Sequence, residues 1–409
     1  MRVLFAVHGY KPAYRIGGPV HSVSALAEGL ARRGHEVVVF TTNSNLDCDV
    51  DVPVCQPVDV GGVEVWYFQH IEPLKKALPF LRYFAKSLGF LYAPTMAAEL
   101  KRMVPMVDLV HTHLPFVYPS LAAARAAIRH GKPLFYHQRG LYDPERLRFR
   151  SLKKLLYIAL IERAIMRRAT TLVALTEAES ESYRRLAVQT PCRIVPNGVD
   201  IPGVDFHASV PAPFPIPEDA RVILFMARVH PIKGADTLLE AFPEVVRAIP
   251  GAVLVVAGPD EFGLEARFRE LAEHQGLTDQ ILFPGMVVGD AKAWLLARAD
   301  LFCLPSLAEG FSMAVLEALA AGTPVLITPG CHFAEVEAAG AGRVVEKTPE
   351  AVAAAATDML SDTGKLIGMG RAGREFVASR YSWEAIVDQM LDVYEEGVQR
   401  HRHQLAKTS

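Results

Sequence analysis

Cysteine is scarce in this chain. Only 5 of 409 residues carry a thiol, at positions 48, 55, 192, 303 and 331, and no two stand as CxxC. That argues against a disulfide framework or a zinc site and fits a reducing compartment. No uninterrupted apolar run is long enough to span a bilayer. The opening "MRVLFAVHGYKP" reaches Gly and Pro too soon for a signal peptide and reads as a first buried strand. A cytoplasmic location is therefore expected, with peripheral attachment to the inner face of the membrane left open. There is no short internal repeat and no low-complexity tract. No GxGxxG follows the first strand of either half, which counts against an NAD-dependent oxidoreductase. No recognised nucleic-acid motif or aromatic-basic interleaving is present, so nucleic acid is not an expected partner.

What the chain does have is a large apolar fraction, 51%, against 22% charged residues, which reads as globular and at this length as two domains. The net charge of −2 is unevenly placed: Met1–Gly198 holds 26 Lys+Arg and 16 Asp+Glu, hence +10, and the remainder −12. A basic front half suggests that it faces something anionic. Short runs rich in Val, Ile, Leu and Phe alternate with amphipathic stretches. "RVLFAV", "EVVVFTT", "DLVHTH", "KPLFYH", "TLVALT" and "CRIVPNG" read as buried parallel strands. The pattern restarts with "RVILFMA", "AVLVVAG", "QILFPG", "ADLFCLPS" and "TPVLIT". Between the series, prolines at 202, 211, 213, 215 and 217 mark a linker. The expected class is α/β, with two Rossmann-like doubly wound parallel-sheet domains facing across a cleft. The expected boundaries are 1–198, a linker at 199–220, a second domain at 221–381, and a helix and tail at 382–409.

"AEGFSMAVLEALAAGTPVL" runs from Ala308 to Leu326 and places Glu309 before an expected helix and Glu317 inside it. Gly310 and Ser312 precede a helix starting near Met313, and the free N–H groups of its first turn make an anion site. A carboxylate at Glu317 must reach solvent, find a donor or face a ligand. Arg228 and Lys233, in "ARVHPIKGADTLLEAF", stand in a strand-to-helix turn at the carboxyl edge of the second sheet, where two cations could neutralise a diphosphate. Taken singly, each could be an ordinary solvated side chain. Gly17 and Gly18 open the first helix and would let backbone approach a phosphate or sugar. His111, His113 and His137 end strands and read either as substrate contacts or as satisfied core histidines. "DCDVD" at 47–51 reads as a solvated loop rather than a metal site, and no metal is expected.

Taken together, "GGP" before a helix, the strand-end histidines, "TEAE", "VPNGVD", "ARVHPIKGADTLLEAF" and "ADLFCLPSLAEGFSMAVLEALAAGTPVLIT" resemble retaining glycosyltransferase family 4, with the GT-B fold. "HQRGLYDP", followed by a basic helix and "LTEAE", resembles its branch acting on cell-surface and lipid-linked polysaccharides. The resemblance implies that Glu317 binds donor ribose hydroxyls. Glu309 and the backbone of Gly310, Phe311, Ser312 and Met313 would hold the transferred sugar. Arg228 and Lys233 would neutralise the diphosphate, with Gly17–Gly18 approaching from the other domain and His137 beside the sugar. Gln138 and Arg139 depart from the pattern of other branches. The implied partners are a nucleotide-sugar donor and a saccharide or lipid-linked acceptor, with no cofactor. An epimerase of the same fold and a non-catalytic sugar-nucleotide-binding protein are the alternatives. "PLKKALPFLRYFAKSLGFLYAPTMAAEL" and "RLRFRSLKKLLYIALIERAIMRRA" read either as core-packed helices with wet basic faces or as contacts with an anionic membrane surface.

Overall fold

The computed structural model describes the chain except residues 47, 72–90, 143–150, 203–212, 261 and 409. Much of "PLKKALPFLRYFAKSLGFLYAPTMAAEL", part of the Pro-rich linker and the first aspartate of "DCDVD" lie outside the described residues. The chain forms two compact units, Met1–Gly198 together with Trp383–Ser409, and Val199–Ser382.

The first unit contains β1 (Arg2–Ala6), β2 (Glu36–Thr42), β3 (Ser44–Asn45), β4 (Cys48–Asp49), β5 (Pro57–Val60), β6 (Val63–Phe68), β7 (Leu109–His113), β8 (Leu134–His137), β9 (Thr171–Ala174) and β10 (Cys192–Ile194). Eight of these make one sheet in the order β10-β9-β8-β7-β1-β2-β6-β5, parallel except for the β5–β6 hairpin. That hairpin turns through Gly61 and Gly62, both at positive φ. The second unit contains β11 (Arg221–Met226), β12 (Ala252–Ala257), β13 (Ile281–Gly285), β14 (Leu301–Leu304), β15 (Val325–Ile327) and β16 (Gly342–Val344), a parallel sheet in the order β13-β12-β11-β14-β15-β16. The strand cores are buried on both faces, as near-continuous apolar runs require.

Each sheet reverses direction once. From β1 the first sheet grows through β2 on one side and β7 on the other. From β11 the second grows through β12 on one side and β14 on the other. At such a reversal the loops leaving neighbouring strands diverge, and the carboxyl edge opens into a ligand crevice. The topology therefore selects two loop pairs: after β1 and β7, and after β11 and β14.

The last helix, Trp383–Thr408, returns to the first unit. Trp383, Ile386, Val387, Met390 and Tyr394 pack into the same apolar cluster as Val3, Phe5, Leu109 and Phe135. Contact is close enough that a Cβ on Gly397 would stand 2.5 Å from the Phe135 ring.

Candidate active site

Site residues of the second unit come from the two loops its topology selects. Arg228 follows the end of β11, and Lys233 stands just before the helix Ala235–Ala248. Glu309 follows β14, ahead of the helix Met313–Ala320. Lys233 Nζ donates to Glu309 Oε1 at 2.6 Å, with both residues buried at 9% and 6% exposure. Arg228 lies on the exposed side of the same turn.

The backbone holds this pair in place. Leu307 N–H donates to Ile232 O at 2.7 Å, Ser306 Oγ donates to the same oxygen at 3.1 Å, and Glu309 N–H donates to Gly330 O at 2.8 Å. Gly234 caps the helix at φ 80°, and a Cβ there would stand 2.0 Å from Pro305 O. Only glycine meets both demands, so the Lys-Gly step lets the β11 loop lie against the β14 loop. The helix Met313–Ala320 has Ser312 as its N-cap with no side-chain cap bond, which leaves its first N–H groups for another acceptor. Glu317 is half-buried one turn in, and its Oε1 accepts from Lys292 Nζ at 2.7 Å. Lys292 belongs to the helix Gly289–Arg298, and as the partner of Glu317 it is a candidate that the sequence alone does not single out. A lysine on an amphipathic helix carries no local signal; only the fold pairs it with Glu317.

In the first unit, Gly17 has φ 93° and caps the helix Gly18–Arg32, and a Cβ on either Gly17 or Gly18 would meet no atom within 4 Å. This loop follows β1. On the β7 and β8 side, Leu114, Phe116 and Arg139 all adopt positive φ, at 70°, 69° and 51°. Side chains in that region are strained, and such strain collects where function over-determines the backbone. Arg139 is buried. Its Nη1 donates to Ser22 Oγ and Asn197 Oδ1, both at 2.9 Å, and its Nε donates to His113 Nδ1 at 3.1 Å. Burial draws its pKa down to about 10, which leaves it cationic at neutral pH. Arg139 thus ties β8 to the first helix and to the loop after β10.

The three strand-end histidines share one face because His113 pairs with His137 in register and His111 is two residues before His113. They are 0%, 0% and 1% exposed at 111, 113 and 137. His111 Nδ1 pairs with Tyr394 Oη at 2.6 Å, while neither nitrogen of His137 has a hydrogen-bond partner among the described residues. Burial first, and the Arg139 charge with it, holds all three pKa values well below the usual imidazole range. The ring of His137 is thus enclosed at the end of β8, with almost no surface presented to solvent.

Among the described residues these histidines also form the one group able to converge on a metal, with ligand-capable nitrogens within 4.8 Å of one another. Their chemistry does not fit one. His113 Nδ1 accepts from Arg139, which keeps the imidazole proton on Nε2 and leaves no free lone pair, and the guanidinium repels a cation. In "DCDVD", Asp49 is half exposed and accepts from Asn43 and Gln69, each at 3.2 Å. The "TEAE" segment is a helix start. Thr176 Oγ1 accepts from Glu179 N–H at 3.2 Å, and Glu179 Oε2 accepts from Leu175 N–H at 2.9 Å.

Comparison with known proteins agrees with this architecture. The family model described as glycosyl transferases group 1 matches residues 209–376, and that described as glycosyl transferase 4-like domain matches residues 17–198. The chain is 30% identical to a D-inositol 3-phosphate glycosyltransferase of Kineococcus radiotolerans over 94% of its own length and 91% of that protein. It is 33% identical to a GDP-mannose-dependent alpha-(1-6)-phosphatidylinositol monomannoside mannosyltransferase of Mycobacterium tuberculosis over 47% of this chain and 54% of that one. Among solved structures, sucrose-phosphate synthase from Thermosynechococcus elongatus superposes with a TM-score of 0.70 at 22% identity, covering 100% of this chain and 99% of that one. HepE of Anabaena, in complex with UDP and glucose, gives 0.72 at 18%, covering 97% and 99%. At these identities the structural likeness is one of fold, that of GT-B glycosyltransferases. With the 30% identity to the Kineococcus protein running through both units, the chain belongs to the glycosyl transferases group 1 family and is a glycosyltransferase.

Proposed function

We propose that the chain moves a glycosyl group from a nucleotide-diphosphate sugar to a hydroxyl of a saccharide or lipid-linked acceptor, with retention of anomeric configuration and without a metal. The setting we infer is synthesis of cell-surface polysaccharide or glycolipid. The observation that carries this reading is the convergence, at the switch point of the second sheet, of Lys233, Glu309 and the start of the helix Met313–Ala320.

Cleavage of the sugar–phosphate bond leaves a diphosphate with added negative charge. Lys233, Arg228 and the free N–H groups near Met313 are fixed donors for that charge, and they need no reorganisation as it develops. In the free enzyme Glu309 holds the Lys233 ammonium in a buried position. An incoming diphosphate would share that ammonium, and the Glu309 carboxylate would then be available to sugar hydroxyls. Glu317 accepts hydrogen bonds from ribose hydroxyls, with Lys292 fixing its rotamer. Retention follows if the acceptor attacks from the face the diphosphate leaves, the departing phosphate taking the acceptor proton. The relative from Mycobacterium, whose name specifies a nucleotide-sugar donor and a lipid-linked acceptor, supports the same pair of substrate classes here.

The test is a thermal-shift screen of nucleotide sugars, followed by product analysis with the donor that stabilises most. A new glycoside supports the reading. An altered free sugar nucleotide with no glycoside indicates epimerisation, and stabilisation without any product indicates a binding protein. Replacing Glu317 with alanine should raise the donor dissociation constant by about 10- to 100-fold in calorimetry, the loss of a charged acceptor being worth roughly 1.5–3 kcal/mol. Unchanged affinity in a folded variant would remove Glu317 from the site.

A further inference from the structure

The segment Ser151–Met166 is interrupted by a π-helical turn at Ile158–Glu162. Glu162 points inward at this turn, and its carboxylate accepts from Tyr136 Oη at 2.6 Å and Phe116 N–H at 3.2 Å. A repeat of four drifts around an α-helix, and a wider turn offsets that drift. Leu156, Leu160, Ala164 and Arg168 all lie on the outside. Leu156 and Leu160 are 51% and 69% exposed, unusual for large apolar side chains on one stripe.

Between this segment and the helix Tyr118–Arg129 lies an open hollow of about 360 Å³. Arg125, Arg129 and Arg168 line it, with Leu160, Ile161 and Ile165 supplying apolar wall. The three arginines are exposed and make no ion pair among the described residues. Among the described residues that line the hollow, the charge is of one sign. The helix Tyr118–Arg129 has no carboxylate, and the only one between residues 151 and 168 is the inward Glu162. Arg168 also borders a second hollow of about 680 Å³ beside Arg167, His401 and Arg400, of which Arg400 already holds Glu396.

Guanidinium groups around an apolar floor suit an amphiphile, with phosphate at the rim and hydrocarbon beneath. A free phosphate would gain nothing from the apolar wall or the leucine stripe. We propose that this face docks on an anionic lipid bilayer, with a lipid phosphate held between Arg125, Arg129 and Arg168 while Leu156 and Leu160 enter the acyl boundary. This gives the lipid-linked acceptor reading a place of contact and rests on that reading only for its purpose. The assay below contains neither donor nor acceptor, so its failure leaves glycosyl transfer standing.

The full chain is sedimented with phosphatidylcholine vesicles, with and without phosphatidylglycerol, at low and high salt. Binding should require the anionic lipid and fall with salt. Replacing Arg125, Arg129 and Arg168 together with glutamine should weaken it on the order of 100-fold, at about fivefold per basic residue. Leu160→Ser should weaken it several-fold with charge unchanged. A control removes three exposed arginines of the second unit, Arg247, Arg267 and Arg371, also to glutamine, and should change binding little. Thermal unfolding checks that each variant is folded. Equal losses in the hollow and control variants would reduce the effect to net charge and overturn the proposal. So would equal recovery on neutral vesicles, or full release by excess inorganic phosphate at constant ionic strength, which would make the hollow a soluble-anion site.

Discussion

Stability should fall steeply in mild acid, at up to about 4 kcal/mol per pH unit below roughly pH 6, from three histidines alone. His111, His113 and His137 are buried, and burial with the neighbouring Arg139 charge keeps them neutral in the folded chain. Unfolding returns them to water, where each takes a proton near pH 6.5. A depressed folded pKa gives stability that is fully present above the unfolded value and lost as pH falls below it. Each group then contributes a slope of about 1.4 kcal/mol per pH unit, and three give about 4. Against a total of about 5–15 kcal/mol for a folded domain, that is decisive. Urea unfolding across this range measures it. His137→Phe removes one titrating ring and two nitrogens without partners among the described residues; with His8 also held low, at about 4, by burial, it should flatten the slope by about a quarter and cost little at neutral pH. Loss of turnover in the folded variant would support the expected contact of His137 with the transferred sugar.

Arg228→Ala should lower turnover by about 10²–10³ with almost no change in stability, because Arg228 is exposed and the lost donor acts on charge that develops during reaction. Lys233→Ala should lose as much turnover and also about 3–5 kcal/mol of stability, since the buried Glu309 carboxylate is left without its cation. The two effects separate in a double variant. Lys233→Ala with Glu309→Gln should recover most of the stability and none of the turnover. Lys233→Arg should rescue only in part, because the guanidinium is larger and planar. Wild-type transfer should continue in EDTA. Activity lost to the chelator and restored by magnesium or manganese would overturn the cation assignment and revive "DCDVD".

Eleven strands were legible because buried parallel strands are written as short apolar runs, a pattern that survives any arrangement of the sheet. The β5–β6 hairpin escaped notice although "DVGGVEV" carries a turn signal. Its half-buried strands alternate instead of forming an apolar run. The site was legible in part for a similar reason. Glu309, Lys233 and Gly234 sit in loops whose sequences are unusual in themselves, so they stand out before their loops are known to adjoin. Lys292 and Arg139 draw their meaning from partners far along the chain: Glu317 for the one, Ser22 and Asn197 for the other. The histidines are a different case. A strand end can face a crevice or the layer beneath it, and sequence position does not say which; a helix arriving from the far end of the chain decides.

That late arrival orders events on the ribosome. When Gly198 has been made, every strand of the first sheet exists, but the helix that covers Phe5, Leu109 and Phe135 does not. The second unit is continuous in the chain and can complete its fold while still being extended from the ribosome. The first domain to be translated is thus the last to be finished. At ordinary synthesis rates its apolar face stays uncovered for about 10–40 s, time in which it is exposed to chaperones and to other nascent chains.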